Sequence, residues 1–272
     1  METITSAQNP KIKNLLLLQE KSKARREQGL FVVEGRRELE HCIEAGYNVK
    51  TVFVCNEIAG QAGNDLCQAG NDLRHARPDR ASQIIEIPEA LYRKVAYRES
   101  TEGIIAEVGY KERKLSDLRL PENPLVMVLE SVEKPGNLGA VLRSADAAGA
   151  DAVLICDPLT DLYNPNLIRA SIGAVFTVPT VACSSEEAIA FLQDRGIQIL
   201  TAQLQDSSLY YDIDMRRGTA LVMGTESTGL TDQWRKAASA HIRIPMLGRL
   251  DSLNVSVSAA ILLFEAVRQR QI

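Results

Sequence analysis

The chain has 272 residues, 45% of them hydrophobic and 24% charged, with a formal net charge of −4. That is enough chain for two ordinary domains with their own cores, and the balance is that of a globular protein, not a disordered or fibrous one. The negative balance excludes a protein that coats nucleic acid nonspecifically, while local basic patches can still contact phosphates.

The N-terminal METITSAQNPK lacks the basic-then-apolar layout of a secretory signal. The longest apolar runs, such as AAILLF, are far too short to span a bilayer. The expectation is a cytoplasmic protein with no membrane partner. Cys42, Cys55, Cys67, Cys156 and Cys183 are odd in number and contain no C-x-x-C pair, which argues against a disulfide framework or a zinc site. His41, His75 and His241 are equally isolated. No metal is expected, and any chemistry must work without the usual histidine or thiol groups.

In chain order, NPKIKNLLLLQEKSKARREQ carries Ile12, Leu15, Leu16 and Leu18 at roughly helical spacing. LFVVEG reads as a strand, RRELEHCIEAG as a helix stopped by Gly46, and VKTVFVC as another strand. QIIEI, PEALYRKVAY and EGIIAEV continue the alternation. GYKERKLSDLRLPENP then breaks the apolar pattern with charges and prolines, and is read as a linker. The expected division is a small α/β domain over residues 1–108, a linker over 109–122, and a larger α/β domain over 123–272.

Basic residues outnumber acids near the start: Lys11, Lys13, Lys21, Lys23, Arg25, Arg26, Arg36 and Arg37 against Glu20, Glu27 and Glu34. A charge run is ordinarily a solvated helix face. A phosphate-contacting surface is the sharper alternative.

The second half opens with LVMVLE, a nearly continuous apolar run of the kind buried in a parallel sheet. AVLI, IQIL, ALVMG and HIRIP are further strands, with helices over NLGAVLRSADAAG, SEEAIAFLQDRG and TDQWRKAA. A final helix is expected over roughly Ser256–Arg270. This alternation implies a parallel sheet with ligands at the C-terminal ends of its strands.

Three segments stand at such strand ends. SVEKPGNLGAVLRSADAAG places Gly136 and Gly139 around Asn137, read as a glycine turn before a helix N-terminus, with Arg143 further along the helix. Neither the G-x-G-x-x-G nor the G-x-x-x-x-G-K-[ST] fingerprint of nucleotide sites occurs. LVMGTESTGL puts Glu226 in a loop between Gly224 and Gly229, where glycine permits close backbone approach to a ligand or a positive φ. HIRIPMLGRLDSLNVSVSAA ends in a polar, uncharged run whose Leu253, Val255 and Val257 alternate as in a strand.

In order and spacing these segments resemble the three motifs of the SpoU (TrmH) branch of the SPOUT RNA methyltransferases. Asn137, Gly139 and Arg143 stand in N-x-G-x-x-x-R, MGTESTGL is similar to the second motif, and IRIPM…SLNVSVSAAILLFEAVRQ to the third. TSAQNPKIKNLLLL and GLFVVEGRRELEHCIEAG resemble, more loosely, the ribosomal-protein-like RNA-binding domain that many members carry.

The resemblance implies a parallel α/β domain tied in a trefoil knot, which connection rules alone would never predict. It also implies bound S-adenosylmethionine, a homodimer, and methylation of a ribose 2′-hydroxyl, in ribosomal RNA before transfer RNA. A noncatalytic RNA-binding protein on the same fold is the alternative. By motif, Gly224, Ile244, Met246 and Leu253 would hold the cofactor, while Asn137, Arg143, Glu226, Ser252 and Asn254 would surround the ribose. Lys11, Lys13, Lys23, Arg25, Arg26 and Arg36 become candidate RNA contacts. SLNVSVSAA becomes a loop and helix start, with Ser256 and Ser258 available as caps. Arginine is always charged at neutral pH, so Arg143 is expected to meet a phosphate or a developing alkoxide, not to act as a base.

Overall fold

A computed structural model describes residues 2–59, 83–97, 102–225, 228–249 and 252–271. The chain divides into two compact units, Met1–Lys111 with Tyr163–Arg169, and Glu112–Leu162 with Ala170–Ile272. Cys67 and His75 lie outside the described residues.

The first unit runs β1 (Glu2–Thr3), α1 (Pro10–Glu20), α2 (Ser22–Gln28), β2 (Leu30–Glu34), α3 (Arg36–Glu44), β3 (Val49–Val54), α4 (Asn56–Ala59), β4 (Gln83–Glu86), α5 (Glu89–Val95) and β5 (Ile104–Gly109). Its sheet has the order β1-β4-β3-β5-β2, parallel among the first three and antiparallel through β5. Ile12, Leu15 and Leu18 of α1 and Leu91, Tyr92 and Val95 of α5 bury together with Val32, Phe53, Ile85 and Ile105 of the strands.

The long N-terminal helix expected from leucine spacing is in fact two helices. Asn9 caps α1, its side chain accepting from Lys11 N at 2.9 Å, and Pro10 takes the first helical position. The helix ends where Lys21 turns extended. A helix end leaves carbonyls without intrahelical donors. Here Arg25 supplies them, its Nη1 donating to Leu18 O at 2.7 Å and Gln19 O at 3.1 Å. Arg25 is 2% exposed. The expectation that it contacts RNA is therefore wrong: its charge is spent inside, on the break between α1 and α2.

The second unit contains β6 (Leu125–Glu130), α6 (Pro135–Ala147), β7 (Ala152–Cys156), the end of α7 (Pro165–Ser171), α8 (Ala174–Thr177), β8 (Thr180–Cys183), α9 (Ser185–Asp194), β9 (Gln198–Ala202), β10 (Ser208–Leu209), β11 (Thr219–Met223), α10 (Asp232–Ala237), β12 (Ala240–Arg243) and α11 (Val255–Arg270). Its seven strands pair only in parallel, in the order β10-β12-β9-β11-β6-β7-β8. All residues of β6, β7 and β11 are buried, as the continuous apolar runs require of strands covered on both faces. The short strands β8 and β10 were not foreseen; each has too few residues to show a period.

The connections fix where a cleft must open. From β6 the chain moves to β7 on one side, whereas from β11, β6's other neighbour, it moves away to β12. Helices leaving these two strand ends diverge, and a doubly wound sheet binds its ligands at such a reversal.

Candidate active site

At that reversal a cavity of about 210 Å³ is lined by Val132, Glu133, Lys134 and Asn137 beyond β6, Gly224 and Thr225 beyond β11, and Val255 at the start of α11. All three sequence motifs therefore reach one space. The turn after β6 begins with Ser131 at φ 50°, and Pro135 opens α6. Gly136 and Gly139 do not form a turn, contrary to the sequence reading: both are helical, because proline at the first position starts the helix ahead of them. Gly139 serves packing. A Cβ there would lie 2.5 Å from Ala170 Cβ and 2.8 Å from Ser171 N.

The close backbone approach at Gly224 is to its own loop, whereas the sequence reading expects approach to a ligand. A Cβ on it would stand 2.3 Å from both C and O of Gly229. Thr225 bridges to Gly229, whose amide donates to Thr225 O at 3.1 Å and whose φ is +68°. Glu226 lies outside the described residues.

In the third motif the helix begins directly after Asn254, at Val255. Asn254, rather than Ser256 or Ser258, caps α11, its Oδ1 accepting from Ser256 N at 3.0 Å and Ser256 Oγ at 2.6 Å. Its Nδ2 donates to Asn137 Oδ1 at 3.2 Å, joining the first motif to the third.

A second cavity, about 150 Å³, lies on the other side of β11's end. It is lined by Met223, Ile242, Ile244, Met246, Leu253 and Leu262, with Gln203, Arg243 and Ser252 among its polar residues. Strand β12 ends at Arg243, so Ile244–Leu247 lie outside the sheet's hydrogen-bond ladder. Ile244, Met246 and Leu253 thus meet as expected, whereas Gly224 lines the first cavity and its neighbour Met223 the second. Ser252 falls in the second cavity, apart from Asn137 and Asn254.

Arg143 is exposed on α6 and is not among the described residues lining either cavity. Six residues along an α-helix turn through about 240°, so Arg143 and Asn137 leave the helix on different sides.

No histidine or cysteine is among the described residues lining either cavity, and the titratable side chains of the first are Glu133 and Lys134. His241 is engaged through Nδ1 with Thr201 Oγ1 at 2.6 Å. The Cys183 thiol beside it, followed by burial, pushes the Cys156 thiol far above its ordinary value, so it stays protonated. Among the described residues, no three His, Cys, Asp or Glu gather as metal ligands, and no helix is long and apolar enough to cross a membrane.

Sequence reasoning missed Val132, Glu133, Lys134, Thr225 and Val255 in the first cavity, and Glu130 two residues before it. Glu130 is 2% exposed at the end of β6 and accepts from Thr231 N at 2.8 Å and Thr231 Oγ1 at 2.6 Å. The one available signal was an acid closing the otherwise apolar LVMVLE.

Residues 124–264 match the SpoU rRNA Methylase family, and residues 9–106 the MRM3-like substrate binding domain. Over 97% of its length the chain is 29% identical to 23S rRNA (guanosine(2553)-2'-O)-methyltransferase RlmP of Bacillus subtilis (strain 168), spanning 98% of that protein. It is 31% identical to the 23S rRNA (uridine(2479)-2'-O)-methyltransferase of Streptomyces viridochromogenes, over 89% of this chain and 84% of that one. Among solved structures, an AdoMet-bound rRNA methyltransferase from Sinorhizobium meliloti superposes with a TM-score of 0.87 at 29% identity, covering 98% of this chain and 97% of the other.

Proposed function

The chain belongs to the SpoU rRNA Methylase family, and from that premise we propose that it transfers a methyl group from S-adenosylmethionine to a ribose 2′-hydroxyl of large-subunit ribosomal RNA. The observation that carries this reading is the joining of the motifs, Asn254 to Asn137, beside the strand end that carries Gly224.

The second cavity fits the cofactor in kind. Met223, Ile242, Ile244, Met246, Leu253 and Leu262 offer an apolar sleeve for an adenine ring, and the backbone beyond β12 offers donors and acceptors for its edge. Gly224, Ile244, Met246 and Leu253 would hold it. When bound, it supplies an electrophilic methyl on a sulfonium. The same reading threads the segment beyond β12 into a trefoil knot.

The protein's own task is then to present the 2′-oxygen in line and to stabilise the charge it gains, which positioning and fixed dipoles can do. Asn137 and Asn254 hold the ribose at the first cavity, with Glu226 completing its surroundings, while Ser252 reaches it only from the edge of the second cavity. Arg143, exposed and permanently charged, meets an RNA phosphate near the reacting nucleotide.

The first unit holds the rest of the RNA. Lys13, Lys23 and Arg26 are exposed, and Lys11 and Arg36 are half-exposed in ion pairs with Glu2 and Glu40. Exposed ion pairs of this kind are weak enough for a phosphate to replace the carboxylate. We place the enzyme in the cytoplasm, as a homodimer joined through α11. Val257 and Phe264, 48% and 49% exposed, are seven residues apart and so share one stripe of that helix.

The test is incubation with S-adenosylmethionine labelled in the methyl group and, separately, ribosomal and transfer RNA. Label in ribosomal RNA that makes one phosphodiester bond resistant to alkali is expected. Label on a base, label confined to transfer RNA, or no label overturns the reading.

A further inference from the structure

Glu130 is the most deeply buried carboxylate among the described residues of the second unit and has no place in the three motifs. Its surroundings form a small network. Ser185 Oγ lies 2.6 Å from Asp157 Oδ2 and 3.4 Å from Glu130 Oε1, and Trp234 Nε1 donates to Ser185 Oγ at 2.9 Å. A serine hydroxyl has one proton, and the shorter contact takes it. Ser185 therefore donates to Asp157, and the firm partners of Glu130 are the Thr231 amide on Oε2 and the Thr231 hydroxyl on Oε1.

Thr231 is not an arbitrary partner. It stands at the N-cap of α10, next to the buried Leu230, which follows Gly229. Gly229 is the residue that Gly224 approaches without room for a Cβ and that bridges to Thr225. Gly224 and Thr225 in turn form one wall of the cavity whose opposite wall, Val132 to Asn137, begins two residues after Glu130. A single carboxylate thus ties the far end of the β11 loop to the strand from which the Asn137 wall departs, across 101 residues of sequence.

We propose that Glu130, through Thr231, is a positioning residue for methyl transfer: it sets the spacing between the Gly224–Thr225 wall and the Asn137 wall of the ribose cavity. The proposal rests on the reading of that cavity as the ribose site. Misplacing a reacting group by about 1 Å can cost on the order of a hundredfold in rate, so loosening this tie acts on turnover more than on binding. The cofactor cavity lies mainly on the other side of β11 and takes none of its described lining from the Val132–Asn137 segment.

The experiment compares the full-length wild type with Glu130→Gln, Thr231→Val, Thr231→Ser and Trp234→Phe, assayed well below their melting temperatures. Glu130→Gln and Thr231→Val are expected to lower kcat at least about tenfold while KM for RNA and the calorimetric Kd for S-adenosylmethionine change less than about threefold. Their double variant should be no worse than Glu130→Gln alone, because Thr231→Val removes only the hydroxyl bond, one of the two that Glu130→Gln disturbs. Thr231→Ser, which keeps the hydroxyl, should stay near wild type. Trp234→Phe perturbs the same network at its distal end and should lower the melting temperature without touching kcat. Unchanged kcat in Glu130→Gln and Thr231→Val, or an equal loss in Trp234→Phe, overturns the proposal while leaving the function intact. A wild type that transfers no methyl group to RNA overturns the function, and this proposal with it.

Discussion

Asn254 and Asn137, 117 residues apart in sequence, are hydrogen-bonded side chain to side chain at 3.2 Å. The bond gives Asn254 two duties: its oxygen caps α11 through Ser256, and its amide nitrogen reaches across to the first motif. One residue therefore sets both where the last helix starts and how it faces the helix bearing Asn137.

Those two duties separate in Asn254→Asp. A carboxylate caps a helix as well as an amide does, but it has no proton to offer Asn137. The melting temperature should stay within a degree or two (about 0.5 kcal/mol or less), while methyl transfer falls roughly tenfold or more. An unfolding scan beside a single-turnover assay checks it; wild-type turnover would remove Asn254 from the ribose site.

Arg143→Ala should abolish methyl transfer and leave S-adenosylmethionine binding intact, because Arg143 lines neither cavity. Arg143→Lys should recover little, since an ammonium cannot reproduce the planar fork that a phosphate accepts. Calorimetry with the cofactor alone is the deciding measurement. A matching loss of affinity there would contradict the assigned role.

Neighbouring arginines should behave as opposites. Arg25→Ala removes both donors from the carbonyls of Leu18 and Gln19 and should destabilise the first unit by about 2–4 kcal/mol. Arg26→Ala, on the exposed side, should leave stability unchanged, weaken RNA binding and flatten its salt dependence. Urea unfolding and RNA titration at two salt concentrations separate the two effects.

Glu107 yields a pH prediction. Burial raises its carboxyl above the ordinary value, outweighing the opposing contacts of Thr51, Asn14 and Lys11. The folded state therefore holds this proton more tightly than the unfolded chain does. Its contribution to stability is fully present below the unfolded pKa of about 4.5 and is lost as pH rises through the folded value. At pH 7 Glu107→Gln, whose oxygen can still accept from Asn14 Nδ2, should be more stable than wild type, with the advantage disappearing at acid pH. Melting temperatures of the pair from pH 4 to 8 would reveal a constant difference if the charge played no part.

Legibility followed the range of the interaction. LVMVLE, AVLI and ALVMG announced a parallel sheet because burial on both faces is written in consecutive residues. The N-terminal helix was misjudged because its leucine spacing ends gradually, whereas its actual end depends on an arginine side chain reaching back six and seven residues. Motif residues were legible as chemical types in order, yet Ser252 and Asn254, two positions apart, belong to different neighbourhoods once the chain turns into α11. Glu130 was silent for the same reason. Nothing near it in sequence hints at Thr231, and only the order of the strands brings them together.

The cleft between β6 and β11 has no author among the side chains. It arises because two neighbouring strands send their chains off in opposite directions. Residues such as Asn137, Thr225 and Val255 decide what the cleft accepts, and substitution can retune or silence them one at a time. The gap itself would survive every such change. A lineage built on this winding can lose one substrate and take up another without rebuilding the scaffold.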